Sequence, residues 1–350
     1  MKIHEKYILR AIELGKNGLG TTAPNPMVGC VITHKKTIIG EGFTSPFGGP
    51  HAEVNAIRSV KNKELLKKST LYVTLEPCAH HGKTPPCVDL IITSKIPRVV
   101  IGVKDPHDKV SGKGIEKLLA AGCEVIAPLL ENKCREHHKR FLTFHEKKRP
   151  YIILKWAQTR DGFIAPEINA REKDPRPFWI TNRYSRQKVH QWRSEEQAIL
   201  IGTNTVLLDN PRLTTRSWAG NSPLRIILDK ELKTPSSYNI FDGAAKTLIF
   251  TQGEIPGNTT GGIEYESIDF SQKVASQICD TLFKRNIQSV IIEGGAATIS
   301  TFIKADLWDE ARIFYGTNSF GTGLKAPVIT GKEISLKQIG LDTLSILRND

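Results

Sequence analysis

Four residues in the N-terminal half of the chain have the types and the spacing of a hydrolytic zinc centre. They are His51 and Glu53, separated by one residue, and Cys78 and Cys87, separated by eight. A catalytic zinc ion takes three protein ligands and leaves a fourth position for water, so one imidazole and two thiolates complete the protein's share. Bound zinc brings the pKa of that water towards neutrality, and the Glu53 carboxylate can relay the protons that hydrolysis requires. The pattern therefore predicts zinc chemistry with Glu53 as the proton carrier.

The spacing also constrains where these residues stand on their helices. Residues i and i+2 of a helix point to different faces, so His51 and Glu53 can address one metal only if His51 stands at the start of a helix. Gly48-Gly49-Pro50 predicts such a start. Pro86 likewise places Cys87 in a first helical turn, where the helix dipole favours a thiolate.

Two other interpretations of the cysteines stay open at this point. Cys78 and Cys87 could be two buried cysteines, or they could belong to a structural zinc site completed by His80 or His81. The wide separation favours the catalytic site, because structural sites usually space paired cysteines by about two to four residues.

In the C-terminal half, glycines that follow strand-like runs are the residues with a chemical implication. One run ends at Gly202 and another at Gly294-Gly295, and each leads into a helix-like stretch. A strand, a glycine and a helix start together aim backbone N–H groups at phosphate, so two such turns predict a dinucleotide lying across a sheet. Each turn alone could be no more than a tight connection.

The elements that must position these residues alternate between helical and extended patterns, which predicts an α/β protein with helices on both faces of a sheet. In the N-terminal half we expect helices over 4–15, 51–60, from 86, 114–121 and 131–148, and strands over 28–33, 37–43, 70–75, 98–103 and 124–128. The pattern restarts at Pro150, with helices over 183–195 and 271–285, and strands over 151–156, 198–201, 224–229, 247–251, 289–293 and 311–315. We therefore expect one domain over residues 1–146 and a second over 150–350.

Composition narrows the class of protein. The chain has 350 residues, 39% of them hydrophobic, with no apolar run near the ~20 residues of a membrane span. The charged N-terminus has no signal-peptide core, and the six cysteines suit free thiols or metal ligands, so we expect a cytoplasmic protein. A net charge of +13 fits an anionic partner, either nucleic acid or a phosphorylated small molecule, but a lysine-rich proteome would produce it too.

His-Ala-Glu followed by Pro-Cys and a second cysteine resembles the signature of the cytidine deaminase superfamily. The eight-residue spacer, with Thr74-Leu75-Glu76 before it and Asn25-Pro26 upstream, is similar to that of the bifunctional riboflavin-biosynthesis RibD family. The resemblance implies a three-layer α/β/α deaminase domain for a pyrimidine ribotide, with His51, Cys78 and Cys87 binding Zn²⁺ and Glu53 donating protons.

The loops near this motif suit a small phosphorylated substrate. His80 and Lys83 are donors within reach of the metal pocket, and Asn25 can read a base edge, although Lys83 could also be a solvated lysine. One departure from the family follows downstream. Asp105-Pro106-His107-Asp108 replaces Asp-Pro-Asn-Pro ahead of Val110, Gly112 and Gly114.

The C-terminal half resembles the reductase half of the same family, which has a dihydrofolate-reductase-like α/β fold and uses NADPH. The resemblance is carried by Lys155-x-Ala157-x-Thr159-x-Asp161-Gly162, Trp179-Ile180-Thr181, Arg193, the run from Gly202 to Arg216, and Glu293-Gly294-Gly295. It implies an NADPH site formed by Ala157, Thr181, Thr205, Asp209, Gly294 and Gly295. It also implies a substrate site formed by Arg193, Leu213, Arg216 and Glu293.

Two features of this half differ from the simplest family pattern. Residues 166–177 form a longer loop that places Pro177 or Phe178 where the family has a small polar residue. Arg193 also ends a helical pattern and could be an ordinary capping residue. The resemblance further implies a homo-oligomer, either a dimer or a tetramer.

Three alternatives to a bifunctional enzyme remain at this point. The chain could be a deaminase alone, with an inactive or differently specific C-terminal domain. It could deaminate nucleic acid, which would require exposed aromatic side chains for stacking along a basic stripe. It could also be a zinc-stabilised binding protein, which would need four protein ligands and no spare carboxylate.

Overall fold

The structure is a computed structural model, and it describes residues 3–79, 85–106, 111–170, 175–256 and 261–349. The chain divides into two compact units, Met1–Lys148 and Arg149–Asp350. Within the described ranges, we find no helix with both the length and the apolar character that crossing a membrane would require.

The N-terminal unit is built around a five-stranded sheet in the order β2-β1-β3-β4-β5. Its strands are β1 Gly29–His34, β2 Thr37–Phe43, β3 Thr70–Leu75, β4 Arg98–Val103 and β5 Glu124–Ile126. Its helices are α1 Ile3–Gly15, α2 Ala52–Ser59, α3 Cys87–Thr93, α4 Lys113–Ala120, α5 Glu131–His137 and α6 Lys139–Lys147. β1 is antiparallel to β2 and β3, whereas β3, β4 and β5 are parallel.

Glycines on adjacent positions of this sheet show that helices cover both faces. A Cβ atom on Gly42 would lie 2.6 Å from the carbonyl oxygen of Ala52, so α2 packs closely on that face. Cys30 pairs with Gly42 and shares its face, and the preceding Gly29 therefore faces the other side. A Cβ on Gly29 would lie 1.8 Å from the carbonyl oxygen of Ala11, so α1 covers this second face. The expected three-layer arrangement is confirmed.

The C-terminal unit contains a nine-stranded sheet in the order β11-β10-β9-β8-β12-β6-β13-β16-β15 and a separate two-stranded pairing of β14 with β7. The strands are β6 Tyr151–Gln158, β7 Phe163–Ala165, β8 Ala198–Gly202, β9 Leu224–Leu228, β10 Thr247–Thr251, β11 Ile263–Ser267, β12 Ser289–Ile292, β13 Glu310–Tyr315, β14 Leu324–Lys325, β15 Lys332–Ile339 and β16 Asp342–Arg348. The helices are α7 Arg183–Glu195, α8 Thr203–Asp209, α9 Val274–Lys284 and α10 Ala296–Lys304.

Two apolar cores lie on opposite faces of the nine-stranded sheet. Ile152 and Leu154 of β6 pack in one core together with α9 and α10. Tyr151 and Ile153, which point to the other face, pack with α7 and α8. The seven strands from β11 to β13 in the sheet order are parallel to one another. β16 is antiparallel to β13, and β15 is antiparallel to β16.

One expected element is wrong. The charged stretch 131–148 is not a single helix, because α5 ends at His137 and α6 starts at Lys139. Between them the buried His138 adopts φ −93° and ψ 13°, and its Nε2 lies 2.9 Å from the Thr74 hydroxyl. The contact that turns the chain here involves a residue 64 positions away, so local periodicity could not indicate it.

Candidate metal centre and cofactor pocket

The three expected metal ligands meet at one point of the N-terminal unit. The His51 Nδ1 atom lies 3.7 Å from Cys78 Sγ and 3.3 Å from Cys87 Sγ, and all three donor atoms lie within 4.8 Å of one another. Zn–S bonds of about 2.3 Å and Zn–N bonds of about 2.0 Å at a tetrahedral ion place S and N about 3.5 Å apart. The observed distances lie on either side of that value, so the donor set fits zinc.

The helix starts that present these donors are those that the spacing requires. His51 is the N-cap of α2, with an extended backbone at φ −72° and ψ 165°, and its carbonyl accepts the Asn55 N–H. Pro86 caps α3, and Cys87 is its first residue. Because His51 stands just before the helix, its side chain and that of Glu53 need not follow the helical i, i+2 divergence.

Glu53 lies in the first turn of α2 and is 4% exposed. Burial, together with the charge of the neighbouring Cys78, raises the pKa of its carboxyl group to about 7. A carboxyl group with a pKa near the working pH can both accept and release a proton, as a proton relay must. The Cys87 thiol, hydrogen-bonded to Cys78, lowers the pKa of Cys78, whereas the same contact and burial raise that of Cys87.

Of the three residues expected to contact the deaminase substrate, the structure describes Asn25. Asn25 is half-buried in the loop 19–28, which hydrogen-bonds the segment leading to His51 through Phe47 N to Thr21 O and Val28 N to Thr44 Oγ1. His80 and Lys83 lie outside the described residues.

In the C-terminal unit, all ten residues expected to bind NADPH or the reductase substrate line one cavity of about 480 Å³. Those expected for the cofactor are Ala157, Thr181, Thr205, Asp209, Gly294 and Gly295, and those expected for the substrate are Arg193, Leu213, Arg216 and Glu293. Cavities of this size are typical of small-molecule sites. The residues come from β6, α7, α8, the end of β12 and two loops, so only the sheet brings them together.

Glu293 forms the centre of a charge network in this cavity. Its Oε1 accepts Lys155 Nζ at 2.6 Å, and its Oε2 accepts Arg193 Nη2 at 2.8 Å. Burial alone would raise the pKa of Glu293, but the charges and hydrogen bonds of Arg193 and Lys155 outweigh it and hold the pKa at about 2. Arg193 is therefore more than a helix cap. Its Nε is buried and has no partner among the described residues, so it can still donate a hydrogen bond to a ligand.

Gly294 and Gly295 allow a close approach where β12 meets α10. Both have positive φ angles, 143° and 52°, and a Cβ on Gly295 would lie 3.3 Å from Thr205 Oγ1. Gly295 is the N-cap of α10, and Gly202 directly precedes α8 in the same way. Gly294 and Gly295 line the same cavity as Thr205, and so do Ile201 and Asn204 on either side of the Gly202 turn, which fits the phosphates of a dinucleotide.

The cavity also contains cations that sequence reasoning left out of the site. Lys155, Arg186 and Arg212 line it together with Arg193 and Arg216, which makes five cations against the carboxylates of Asp209 and Glu293. Partial burial and the charges of Arg193 and Arg212 lower the pKa of Arg216. Lys155 belongs to the sequence motif around Ala157. Its contact with Glu293, however, follows only from the fold. This excess of positive charge suits phosphorylated ligands.

The long loop 166–177 ends at the same cavity. Pro177 and Phe178 both line it. The next residue, Trp179, also lines the cavity, and the Arg186 guanidinium stacks 4.7 Å from its ring centroid. Residues 171–174 of this loop lie outside the described ranges.

Comparison with known proteins matches both units. Residues 1–103 match the cytidine and deoxycytidylate deaminase zinc-binding region, and residues 150–347 match the RibD C-terminal domain. The riboflavin biosynthesis protein RibD of Bacillus amyloliquefaciens is 40% identical over 94% of this chain and 89% of its own length, and that of Escherichia coli is 32% identical over 91% and 89%.

Two solved structures match nearly the whole length of the chain. A diaminohydroxyphosphoribosylaminopyrimidine deaminase/5-amino-6-(5-phosphoribosylamino)uracil reductase from Thermotoga maritima is 40% identical, superposes with a TM-score of 0.89, and covers 99% of both chains. RibD from Acinetobacter baumannii is 31% identical, with a TM-score of 0.88 over 99% of this chain and 98% of its own. These matches confirm the expected cytidine-deaminase-like and dihydrofolate-reductase-like folds. The chain belongs to the RibD family of riboflavin-biosynthesis enzymes, and it is a bifunctional enzyme with a zinc-dependent deaminase domain followed by an NADPH-dependent reductase domain.

Proposed function

We propose that residues 1–146 hydrolyse the amino group of 2,5-diamino-6-ribosylamino-4(3H)-pyrimidinone 5′-phosphate, and that residues 150–350 then reduce the ribosyl group of the product to ribityl. The observation that carries the deaminase assignment is the meeting of His51, Cys78 and Cys87 beside the buried Glu53. The two activities named for the Thermotoga maritima relative support the choice of substrate.

In the deaminase domain, His51, Cys78 and Cys87 would hold the zinc ion. Zinc, when bound there, supplies a water with a pKa near 7 as the nucleophile. Glu53 would take a proton from that water and pass it to the ring nitrogen beside the attacked carbon. Glu53 would then carry the proton of the newly added hydroxyl group to the amino group, which leaves as ammonia while the carbonyl forms and the ring nitrogen keeps its proton. Its raised pKa supports this double duty. Asn25 would hydrogen-bond the base, and His80 and Lys83 would bind the base and the phosphate.

In the reductase domain, the glycine turns and the side chains of Ala157, Thr181, Thr205 and Asp209 would hold NADPH, which supplies the hydride. Arg193 and Arg216, with the backbone at Leu213, would bind the ribose phosphate. Glu293 would accept hydrogen bonds from the sugar hydroxyls. Lys155, whose Nζ lies 2.6 Å from Glu293 Oε1, would act as a hydrogen-bond donor to the sugar oxygens.

Substitution of Glu53 by Gln tests the deaminase assignment. Glu53→Gln keeps the size of the side chain but cannot relay protons, so ammonia release should fall by about 10²- to 10⁴-fold while bound zinc stays at the wild-type level. Reduction of the separately prepared deaminated substrate by the same variant should be unchanged. Wild-type ammonia release from Glu53→Gln would contradict the assignment.

The same assay separates the bifunctional enzyme from the alternative of a deaminase alone. The cavity that contains Glu293 and Arg193 supports reduction, whereas Pro177 and Phe178 at its border cannot donate the hydroxyl hydrogen bond of the family. Wild-type protein supplied with the diaminopyrimidine ribotide and NADPH should release ammonia and oxidise NADPH in equal amounts. Ammonia release without NADPH oxidation would identify a deaminase only.

We also infer a homo-oligomer in the cytoplasm. The edge strand β15 leaves Ile334 and Leu336 exposed, at 41% and 60%, and an exposed apolar edge favours pairing with another chain. Free thiols that serve as metal ligands suit a reducing compartment. Light scattering during size-exclusion chromatography would give the mass, and a monomer would contradict the oligomer.

A further inference from the structure

The Glu76 carboxylate is a buried anion that the proposed chemistry does not use. It lies directly after β3, two residues before Cys78, and it is 3% exposed. Each of its oxygens accepts two backbone N–H groups. Oε2 accepts from Asp105 at 3.2 Å and Gly112 at 3.0 Å, and Oε1 accepts from Gly114 at 3.0 Å and Ile115 at 3.2 Å. The buried charge is thus compensated by backbone donors.

These donors belong to two different elements. Asp105 follows β4, whereas Gly112 is the N-cap of α4 and Gly114 lies in its first turn. Gly112 has a φ of 87°, and a Cβ on Gly114 would lie 2.3 Å from the Pro77 carbonyl oxygen. The Gly112-x-Gly114 pattern therefore lets α4 approach the turn that contains Glu76, and the helix dipole favours a carboxylate there.

The turn that contains Cys78 has few other attachments. The last bond to the sheet is Glu76 N to Val103 O, at 2.9 Å. Beyond it, the hydrogen bonds of Cys78 among the described residues go to the start of α3 and to His51: its carbonyl accepts Val88 N at 3.3 Å, its Sγ accepts Cys87 N at 3.3 Å, and its Sγ lies 3.7 Å from His51 Nδ1. The Glu76 side chain therefore fixes one side of residues 76–78, and α3 fixes the other.

We infer that Glu76 is a positioning residue of the metal centre. Its carboxylate ties the 76–78 turn to the end of β4 and the start of α4, and so helps to hold Cys78 Sγ at its position 3.7 Å from His51 Nδ1. The inference rests on the proposed role of Cys78 as a zinc ligand. Without the carboxylate, the turn can move. Zinc binding must then also order the turn, and this lowers the affinity for zinc.

Zinc release from the full-length enzyme tests this role. In Glu76→Gln, an NH₂ group replaces one of the two carboxylate oxygens. The backbone N–H groups that bonded to that oxygen then face a donor and lose their acceptor. Partners that orient a metal ligand typically contribute about 10- to 100-fold to metal affinity, and zinc transfer to the chromogenic chelator 4-(2-pyridylazo)resorcinol should accelerate by about that factor. Glu76→Asp keeps the charge but withdraws it by one methylene, and its release rate should lie between the two.

A matched control separates positioning from general support of the fold. Leu118 lies in α4, is fully buried, and makes no bond to Glu76, so Leu118→Ala destabilises the same helix through a cavity. It should lower the thermal unfolding midpoint at least as much as Glu76→Gln while releasing zinc at the wild-type rate. The inference would be overturned if zinc release accelerated in both variants in proportion to the decrease in their thermal unfolding midpoints.

Two further outcomes are distinguishable. If Glu76→Gln cannot be purified folded, the comparison of Glu76→Asp with Leu118→Ala decides by the same criterion. Zinc-loaded wild type with an unchanged release rate in both Glu76 variants would refute the role of Glu76 alone. Wild type that binds no zinc would instead refute the proposed function.

Discussion

Neutralising Glu293 should destabilise the C-terminal unit by a measurable and pH-dependent amount. Lys155 and Arg193 hold the pKa of this carboxyl group at about 2, against an ordinary 4.5. That difference corresponds to about 3 kcal/mol of interaction in the folded state. Glu293→Gln removes this interaction and leaves two buried cations without their anion, so we expect the free energy of unfolding to fall by about 3 kcal/mol at pH 7.

The sign of the pH dependence follows from the depressed pKa. A carboxylate whose folded pKa lies below its unfolded pKa stabilises the protein above the unfolded value, and this stabilisation is lost as pH falls towards the folded value. For Glu293 the window lies between pH 4.5 and pH 2. Of the wild-type contribution, about 2 kcal/mol should be lost by pH 3. Glu293→Gln should lack this part of the pH dependence.

The chain offers a selective probe for this measurement. All five tryptophans, Trp156, Trp179, Trp192, Trp218 and Trp308, lie in the C-terminal unit, so urea unfolding followed by tryptophan fluorescence reports on that unit.

A second Glu-to-Gln variant serves as the control. Glu264→Gln removes an exposed ion pair with Arg285, and it should change the free energy of unfolding by less than about 1 kcal/mol. If wild type and Glu293→Gln lost stability in parallel from pH 7 to pH 3, the charge network would not have the strength inferred here.

Three further predictions concern the two sites. Gly295→Ala places a strained Cβ 3.3 Å from Thr205 Oγ1 and should raise the Michaelis constant for NADPH about tenfold, whereas Gly243→Ala, at a similar positive φ but in open space, should leave it unchanged. Arg216→Gln should raise the Michaelis constant for the phosphorylated reductase substrate about 10- to 100-fold without changing ammonia release. As a control, wild type and Arg216→Gln should bind a dephosphorylated substrate with equal affinity. Dialysis against a chelator should abolish ammonia release and spare NADPH oxidation with deaminated substrate, and loss of both activities would contradict separate sites.

Elements with strong local patterns were predicted with correct bounds. β2, β3, β4, β10 and α7 begin and end at the expected residues. Their sequences combine a clear alternation or helical periodicity with a nearby turn or cap, such as Asn182 at the N-terminus of α7, whose side chain accepts Tyr184 N and Ser185 N.

Elements whose stability comes from distant partners were missed. In β15, Ile334 and Leu336 alternate with polar residues, but both side chains are exposed, so the strand buries no face. Its register with β16 includes an irregularity between Glu333 and Ser335. Pairing with the neighbouring strand, rather than burial of a face, defines this element.

Within the sites, the same division holds between local motifs and distant contacts. The metal donors could be named from the sequence because zinc chemistry restricts their residue types and because His51 and Cys87 each follow a helix-starting signal. The bond from Lys155 to Glu293 spans 138 residues, and that from Arg193 to Glu293 spans 100. The four donors to Glu76 lie between 29 and 39 residues away. No local sequence pattern specifies contacts between residues so far apart in the chain.

The amino-acid sequence alone was enough to determine which groups perform chemistry and which helix or strand end presents each of them, because those choices depend on residue type and on short-range backbone geometry. Tertiary structure decided which groups neutralise, hydrogen-bond and orient one another. The charge state of Glu293, the position of the buried Arg193 guanidinium beside it and the anchoring of the Cys78 turn all arise from sheet order and helix packing, which bring together parts of the chain that are remote in sequence.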